Sequence, residues 1–403
     1  MESSSKISKF FKFLKENLTL EALLVILIYV ADRWSYNMYN AIQATNAINN
    51  LEIAVAVIGV IGSLYVISGM VFRLPSSRLM QKVSLRRLLV ICFIIKIAIY
   101  ALTAVLPVNN VILYAILRCI YALTWSFLGV ALPAMLAIAV DNRLVGTAYA
   151  LYAGLCGTLT APSRPWAISL MGSIGAKAFY VIALCAVVPL VLSMFIRDDK
   201  FRSAMTAKLD SDGGGNKPKF KFMWKLVPLC LFASLPLMSW QMYNEFLPKL
   251  AEANGFSYLT ELGIASAIEG WVNLGTGILC DIISPGLVAM VQCVLWAGAL
   301  FLLATSSASS AMMLPFIMYG CGIGAIGCLK IACMKSVKKE AQVDLSGTFS
   351  LCNDSVTFIG STTNGLLIAS VGYAAAFKTI AILPLITAAF CVYYFFIKKN
   401  YNK

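Results

Sequence analysis

The stretch RDDKFRSAMTAKLDSDGGGNKPKFKFMWK, residues 197–225, divides a chain of long apolar segments into two parts. Six apolar segments precede it and six follow it. Most are about 20 residues long, which is the length that a helix needs to cross a hydrocarbon core of about 30 Å. A helix also satisfies its own backbone hydrogen bonds, which lipid cannot do. The sequence therefore predicts an all-α integral membrane protein with twelve transmembrane helices in two six-helix halves.

The apolar segments and the charged stretch divide the chain into five parts. Residues 20–196 form the first half and residues 226–397 the second, with 197–225 as a cytoplasmic linker between them. A basic cytoplasmic segment, 1–19, precedes the first half, and a cytoplasmic tail, 398–403, follows the second. The predicted spans lie at about 20–43, 53–72, 87–106, 111–139, 147–170, 178–196, 226–247, 259–280, 286–305, 311–334, 346–370 and 374–397.

The composition and the placement of charge agree with a membrane protein. Hydrophobic residues make up 60% of the chain and charged residues 12%, against about 45–50% and about 25% in soluble domains. The net charge of +14 does not indicate a nucleic-acid partner, because 24 of the 32 basic residues fall on segments predicted to face the cytoplasm. Basic residues favour the inner side of a membrane. We therefore expect cytoplasmic termini, a multi-pass protein of the cell membrane, and the lipid bilayer as a partner.

Several kinds of enzyme are disfavoured by what the sequence lacks. The chain contains no histidine, which removes the usual general base and excludes a Ser–His hydrolase. It has no glycine-rich nucleotide-binding loop, so ATP hydrolysis is not supported. No cysteine spacing matches a metal site, and neither a metal nor another cofactor is predicted. The sequence does not predict an enzyme.

The two halves resemble each other in sequence. LVGTAYALYAG (144–154) and LSGTFSLCNDS (345–355) both enter the fifth span of a half through Leu-x-Gly-Thr. The tripeptide Met-Tyr-Asn occurs at 38–40 in span 1 and again at 242–244 in span 7. Many secondary transporters are built from internal repeats of this kind. The repeat therefore favours a transporter.

A short basic loop between spans 2 and 3 resembles the signature of the major facilitator superfamily. That signature runs roughly Gly-x-Leu-x-Asp-Arg-x-Gly-Arg-Arg, and SRLMQKVSLRRLL (77–89) fits it, except that Gln81 stands in place of Asp and Ser84 in place of Gly. The equivalent loop of the second half, 275–286, keeps the acid as Asp281. In the family, this loop steadies the outward-facing state. The resemblance implies a conformational latch formed by Arg78, Gln81, Lys82, Arg86, Arg87 and Asp281.

The family resemblance also implies a central cavity lined by spans 1, 4, 7 and 10. Polar and aromatic residues recur on one side of these spans at helical spacing. They are the candidate substrate-binding residues: Arg33, Tyr36, Asn37, Tyr39, Asn40, Tyr121, Trp125, Trp240, Tyr243, Asn244 and Tyr319.

Charged residues inside the spans are costly in lipid and are expected to face the cavity or one another. Adjacent residues point about 100° apart on a helix, so Asp32 and Arg33 are not expected to pair. We expect Asp32 to meet Arg118, which stands where the family often has an arginine linked to proton coupling. This pair is the predicted proton-coupling site, with Glu269 and Asp354 as rival proton carriers. The other buried charges considered are Lys96, Arg164, Glu269, Lys330 and Asp354.

Together these features predict a secondary active transporter that moves a small organic solute by alternating access. Proton coupling is expected, and an uncoupled facilitator or a drug efflux antiporter is the alternative. GLCGTLTAP (154–162) resembles a degraded antiporter motif. A transporter-like membrane sensor or scaffold is the alternative of another class. The excess of cations in the spans favours an anionic or zwitterionic solute, while the aromatic residues fit an amphipathic drug-like compound about equally well. A monomer is expected.

Overall fold

The computed structural model describes residues 19–139, 154–197, 222–307, 312–335, 337 and 342–397. Among these, some side chains are not described, including those of residues 73–82 and Asp281. The predicted basic segment 1–19, linker 197–225 and tail 398–403 therefore lie largely or wholly outside the described residues.

The described part of the chain is helical and contains no strand. The helices are α1 Leu20–Asn49, α2 Val55–Lys82, α3 Leu85–Thr103, α4 Val111–Ala139, α5 154–160, α6 Ser163–Ile174, α7 Ala178–Cys185, α8 Val187–Met194, α9 Val227–Ser234, α10 Pro236–Asn254, α11 Leu259–Ile282, α12 Pro285–Thr305, α13 Met313–Gly322, α14 Ala325–Lys335, α15 Gln342–Ile380 and α16 Ile382–Cys391. The prediction of an all-α protein is confirmed for these residues.

Several of these helices, singly or in consecutive pairs, are apolar enough to cross a membrane. Seven stretches meet this condition by length and composition: Val55–Phe72, Val111–Pro133, Gly154–Met194, Trp224–Asn254, Pro285–Thr305, Met313–Cys333 and Thr348–Tyr394. Two of them contain 41 and 47 residues, about twice what one crossing requires. Helices α1, α3 and α11 contain 30, 19 and 24 residues, and charged side chains within them lower their mean hydropathy.

Two glycines set the ends or bends of helices. Gly255 follows α10 with φ 72° and donates its backbone N–H to Ala251 O, which ends the helix. Gly372 lies inside α15 with φ 80° and marks a kink. Glycine reaches positive φ without the steric cost that a Cβ brings. The chain can therefore turn at both points, and the turn at Gly372 lies between the predicted spans 11 and 12.

The buried side chains separate by half. One large cluster contains residues between Leu229 and Cys391, while three smaller clusters contain residues between Ala22 and Ile196. Each half therefore packs mainly on itself. The two halves meet where α2 lies along α15, α1 along α10, and α6 along α11.

Small residues allow the halves to approach closely. A Cβ added at Gly59 on α2 would lie 3.0 Å from the Gly365 Cα on α15. Beside this contact, Ser63 Oγ lies 2.7 Å from Thr362 Oγ1 and accepts a 3.2 Å hydrogen bond from the Thr362 backbone N–H. A second close contact joins Gly157 on α5 to Gly270 on α11. Small residues at helix interfaces stabilise membrane proteins through such backbone packing.

Replacing Gly270 with Ala is expected to lower the thermal stability of the purified protein. A Cβ at this position would lie 2.8 Å from the Gly157 carbonyl carbon and 2.8 Å from the Thr158 N, and overpacking of this kind costs about 1–3 kcal/mol. Gly275→Ala is the matched control, because it lies on the same helix and a Cβ there meets nothing within 4 Å. Equal melting temperatures for the two variants would contradict the importance of this contact.

Candidate functional site

A cavity of about 290 Å³ lies between the two halves of the bundle. Both halves contribute to its wall. The lining side chains that bear on binding are Tyr36, Asn40, Tyr65, Arg118, Trp125 and Arg164 from the first half, and Trp240, Gln241, Tyr243, Asn244, Glu245 and Asp354 from the second. A cavity between the halves is therefore present, and charged, polar and aromatic groups surround it. Of the spans predicted to line it, spans 1, 4 and 7 contribute described residues and span 10 does not, whereas spans 2, 5, 8 and 11 also contribute.

The first helix directs two adjacent charged residues in different directions. Arg33 lies over aromatic rings, with its guanidinium carbon 4.9 Å from the centre of Tyr29, 4.9 Å from that of Tyr36 and 4.2 Å from that of Trp125. Such cation–π contacts stabilise a cation that is partly removed from water. Asp32 points instead towards α3. The expectation that Asp32 and Arg33 do not pair with each other agrees with this arrangement.

Asp32 forms a buried ion pair with Lys96 on α3. Lys96 Nζ donates a hydrogen bond to Asp32 Oδ1, and the two side chains are 0% and 2% exposed. Lys96 Nζ also lies 5.7 Å from the centre of the Tyr121 ring. The predicted pairing of Asp32 with Arg118 is therefore wrong. The side chain of Lys96 reaches from α3 to Asp32 on α1, and neither member of the pair lines the cavity.

Arg118 lies deep in the cavity wall. It is 3% exposed, and its guanidinium carbon lies 4.6 Å from the centre of Tyr65 and 5.9 Å from that of Tyr39. Its Nη1 is buried and has no hydrogen-bond partner among the described residues. Glu245, across the cavity on α10, interacts with it electrostatically. Arg118 is therefore a buried cation with an available donor.

Glu245 is a site residue that the sequence analysis missed. It lies within predicted span 7 and follows Gln241 by four residues, so both occupy one face of α10. That spacing, together with a carboxylate inside an apolar span, was the signal that could have identified it. Gln241 Nε2 donates to Ser361 Oγ at 2.6 Å, while Gln241 Oε1 has no partner among the described residues.

The repeated Met-Tyr-Asn tripeptide occupies similar environments in the two halves. Asn40 Nδ2 donates to the Tyr36 carbonyl at 3.0 Å, and Asn244 Nδ2 donates to the Trp240 carbonyl at 2.8 Å. Both asparagines line the cavity, and each follows its acceptor by four residues. The tyrosine before each asparagine is buried. The sequence repeat is therefore also a repeat of local structure.

The cavity receives only some of the predicted substrate-binding residues. Tyr36, Asn40, Trp125, Trp240, Tyr243 and Asn244 line it. The other predicted residues pack around this wall. Arg33 lies over the Trp125 ring, and Asn37 Nδ2 donates a 3.0 Å hydrogen bond to Thr160 Oγ1. The ring centres of Tyr39 and Tyr121 are 4.8 Å apart, and Tyr319 stacks on Tyr243 with 3.5 Å between ring centres. The helical spacing therefore predicted only part of this wall, on spans 1, 4 and 7.

The remaining predicted charges have different positions. Arg164 and Asp354 line the cavity, whereas Lys330 is half-buried outside it. Glu269 on α11 is half-buried and interacts electrostatically with Arg164 and with Arg33, both from the other half. Glu269 is therefore attracted across the interface between the halves, beside the close contact at Gly270.

The latch residues are mostly outside what the structure describes. Arg86 and Arg87 are exposed at the start of α3, and Ser84 Oγ accepts a 3.3 Å hydrogen bond from the Arg87 backbone N–H. The side chains of Arg78, Gln81, Lys82 and Asp281 lie outside the described residues. The latch stays a prediction.

A comparison with models of protein families decides the family. The model of the Major Facilitator Superfamily matches residues 24–361, which is most of the chain. The chain belongs to the major facilitator superfamily. The resemblance drawn from its sequence is therefore confirmed, and membership makes this protein a transporter with several membrane-spanning helices rather than an enzyme. No curated protein sequence matches it.

Solved structures with the same fold have low sequence identity to this member of the superfamily. The nucleoside transporter NupG is 16% identical with a TM-score of 0.73, covering 94% of this chain and 100% of that one. The xylose transporter XylE from E. coli, in an inward-open conformation, is 11% identical with a TM-score of 0.72, covering 92% and 94%. A POT family transporter in complex with a thioalcohol-conjugated peptide is 12% identical with a TM-score of 0.71, covering 95% and 96%. These similarities establish the fold.

Proposed function

We propose that this protein is a secondary active transporter of the cell membrane that moves a small organic solute by alternating access, coupled to protons. The observation that carries the proposal is the cavity between two separately packed halves, lined by charged side chains from both. A buried charge is costly in a membrane protein unless it has a function or a partner. The three solved transporters named above carry a nucleoside, a sugar and peptides according to their descriptions, which agrees with a small organic solute.

Twelve membrane crossings in two halves, 20–196 and 226–397, are part of this proposal. The two long apolar stretches, Gly154–Met194 and Thr348–Tyr394, would each cross twice. Helices α1, α3 and α11 would supply the remaining crossings, although the charged residues within them make them less apolar than the other helices. The basic residues place both termini in the cytoplasm. Labelling of an Asp210→Cys variant by an impermeant thiol reagent added outside intact cells would contradict this orientation.

The arrangement of contacts between the halves supports a state that is closed on the outer side. With cytoplasmic termini, the contacts of Gly59 with Gly365 and of Ser63 with Thr362 lie towards the outer ends of α2 and α15. Separation at this point would open the cavity to the outside. The rocking of one half against the other is the usual form of alternating access in transporters with repeated halves.

We assign the proton-carrying role to Glu269 rather than to Asp32. Asp32 and Lys96 both belong to the first half, so protonation of Asp32 would not directly change the attraction between the halves. Glu269 interacts electrostatically with the cations Arg33 and Arg164 of the other half. Protonation of Glu269 would remove this attraction and lower the cost of separating the halves. A proton at this position would therefore be coupled to the conformational change.

Solute counterflow in proteoliposomes tests the proposed transport. Radiolabelled leucine, uridine and xylose cover a zwitterion, a nucleoside and a sugar. We expect at least one to exchange, and Arg118→Gln to reduce that exchange by at least about tenfold, because charged hydrogen bonds to a solute are worth about 1.5–3 kcal/mol. Arg197→Gln, which alters an exposed arginine outside the cavity, is the matched control.

Two outcomes would contradict transport through this cavity. The first is no exchange of any of the three solutes by folded wild-type protein. The second is exchange that Arg118→Gln leaves at the level of Arg197→Gln. The second result would favour a transporter-like sensor or scaffold, because such a protein does not need the cavity charges for flux.

A further inference from the structure

The charges that line the cavity are separated by half. The cationic side chains, Arg118 and Arg164, come from the first half, and the anionic ones, Glu245 and Asp354, come from the second. The two sets are equal in number. The cavity therefore has a positive wall and a negative wall and is balanced overall.

The positive wall offers an available donor to a solute. Arg118 is 3% exposed and lines the cavity, yet its buried Nη1 has no hydrogen-bond partner among the described residues. The aromatic rings of Tyr39 and Tyr65 contact its guanidinium without accepting this N–H. An unpaired buried donor costs free energy that a ligand can recover. A carboxylate is the group that a guanidinium binds best.

The negative wall offers the Glu245 carboxylate as an acceptor. Glu245 lines the cavity and makes no ion pair within 4.0 Å with another described residue, although Arg118 attracts it across the cavity. A carboxylate suits an ammonium group, which has three donors and no acceptor.

We propose that the solute is a small zwitterion whose carboxylate binds Arg118 and whose ammonium binds Glu245. This proposal rests on the proposed transport function. A monoanion or a monocation would leave an uncompensated charge in a low-dielectric cavity, which is strongly unfavourable. A zwitterion keeps the balance and connects the two halves directly. Its binding would therefore favour the closed arrangement.

The rest of the cavity limits the size and character of the solute. Tyr36, Trp125 and Trp240 give it an aromatic wall. Its volume of about 290 Å³ lies just below the range of about 300–1,000 Å³ that is typical for drug-sized ligands. An amino acid with an apolar side chain matches this volume and this aromatic wall.

Binding to the purified full-length protein tests this assignment. Leucine is compared with 4-methylpentanoate, which lacks the ammonium, and with 3-methylbutylamine, which lacks the carboxylate. Phenylalanine is compared in the same way with 3-phenylpropanoate and 2-phenylethylamine. We expect at least one zwitterion to bind about 100-fold more tightly than both of its single-charge analogues, because a site built for a polar group rejects ligands that lack it.

Variants of Glu245 and Arg118 identify which wall of the cavity each charge of the solute contacts. Glu245→Gln is expected to reduce the preference for the zwitterion over the carboxylate analogue to about tenfold or less. Arg118→Gln is expected to do the same for the preference over the amine analogue. Arg197→Gln should change neither preference. The reversed pattern would overturn the assignment of the two walls.

The wild-type measurements decide the substrate class even if a variant fails to fold. Equal binding of a zwitterion and its single-charge analogues, or binding of uridine or xylose without any zwitterion, would overturn the zwitterion proposal. In the latter case, counterflow of uridine or xylose would leave the transport function intact. Absence of counterflow with any of the three labelled solutes would instead contradict transport itself.

Discussion

Replacing Lys96 with Met is expected to lower the free energy of unfolding by about 3–5 kcal/mol, the usual cost of removing one partner from a buried ion pair. Lys96 and Asp32 are 0% and 2% exposed in their side chains and hydrogen-bond to each other. Loss of the Lys96 ammonium leaves the Asp32 carboxylate buried without its partner cation. Thermal or denaturant unfolding of the purified protein would measure the effect.

A double variant separates the cost of an unpaired charge from the loss of packing. Asp32→Asn/Lys96→Met removes both charges, and we expect it to recover most of the stability lost in Lys96→Met, because a paired buried charge is often worth little more than an apolar replacement. Glu252→Gln is the control for a pair whose acid is exposed. The Glu252 side chain is 65% exposed and that of Lys249 is 10% exposed, so removal of the acid leaves no buried carboxylate and should cost less than Lys96→Met; exposed pairs are worth about 0–1 kcal/mol. A double variant as unstable as Lys96→Met would contradict this account.

Replacing Glu269 with Gln is expected to abolish proton-driven accumulation of solute while exchange down a gradient continues. Gln resembles the protonated acid in shape and charge but cannot release a proton. The neutral amide would lack, in every state, the attraction that the Glu269 carboxylate has to Arg33 and Arg164. Exchange should therefore lose most of its pH dependence. Accumulation and counterflow of the solute identified in the binding experiment, measured in the same proteoliposomes with and without a pH gradient, would show the separation.

Three further variants test the assignment of the proton to Glu269. Glu261→Gln alters a carboxylate in the first turn of the same helix and should retain accumulation. Asp32→Asn distinguishes the structure-based assignment from the sequence-based one. If folded Asp32→Asn protein loses accumulation while Glu269→Gln keeps it, the proton is carried at Asp32 and the assignment to Glu269 is wrong. Asp354→Asn would test the other carboxylate considered.

The behaviour of the first helix separates what could be predicted from what could not. Helical geometry alone indicates that Asp32 and Arg33 point in different directions. It does not reveal which helix packs against each face. Asp32 meets Lys96 because the long lysine side chain reaches across from α3, and Arg33 lies on Trp125 because α4 packs against α1. The partner of a buried charge is a property of packing.

The positions of the cavity residues also depend on packing, although one of these residues, Glu245, could have been identified from the sequence. Spacing identified the polar sides of spans 1, 4 and 7, and six of the predicted residues line the cavity. Tyr39, Tyr121 and Tyr319 lie behind its wall, because a rotation of a few tens of degrees about a helix axis decides whether a ring faces the cavity or a neighbouring helix. Glu245, in contrast, could have been found from the sequence, since it is a carboxylate inside a predicted span on the same face as Gln241.

By itself, the sequence determined the helical architecture, the division into two related halves and membership of the superfamily. Each of these depends on local patterns: the length of apolar runs, the position of the charged stretch, and short motifs repeated along the chain. Only the tertiary structure decided that Asp32 pairs with Lys96, that Glu245 and Arg118 line one cavity, and that Glu269 interacts electrostatically with cations of the other half. These pairings join residues far apart in the chain, and they depend on how rigid helices pack and rotate against one another.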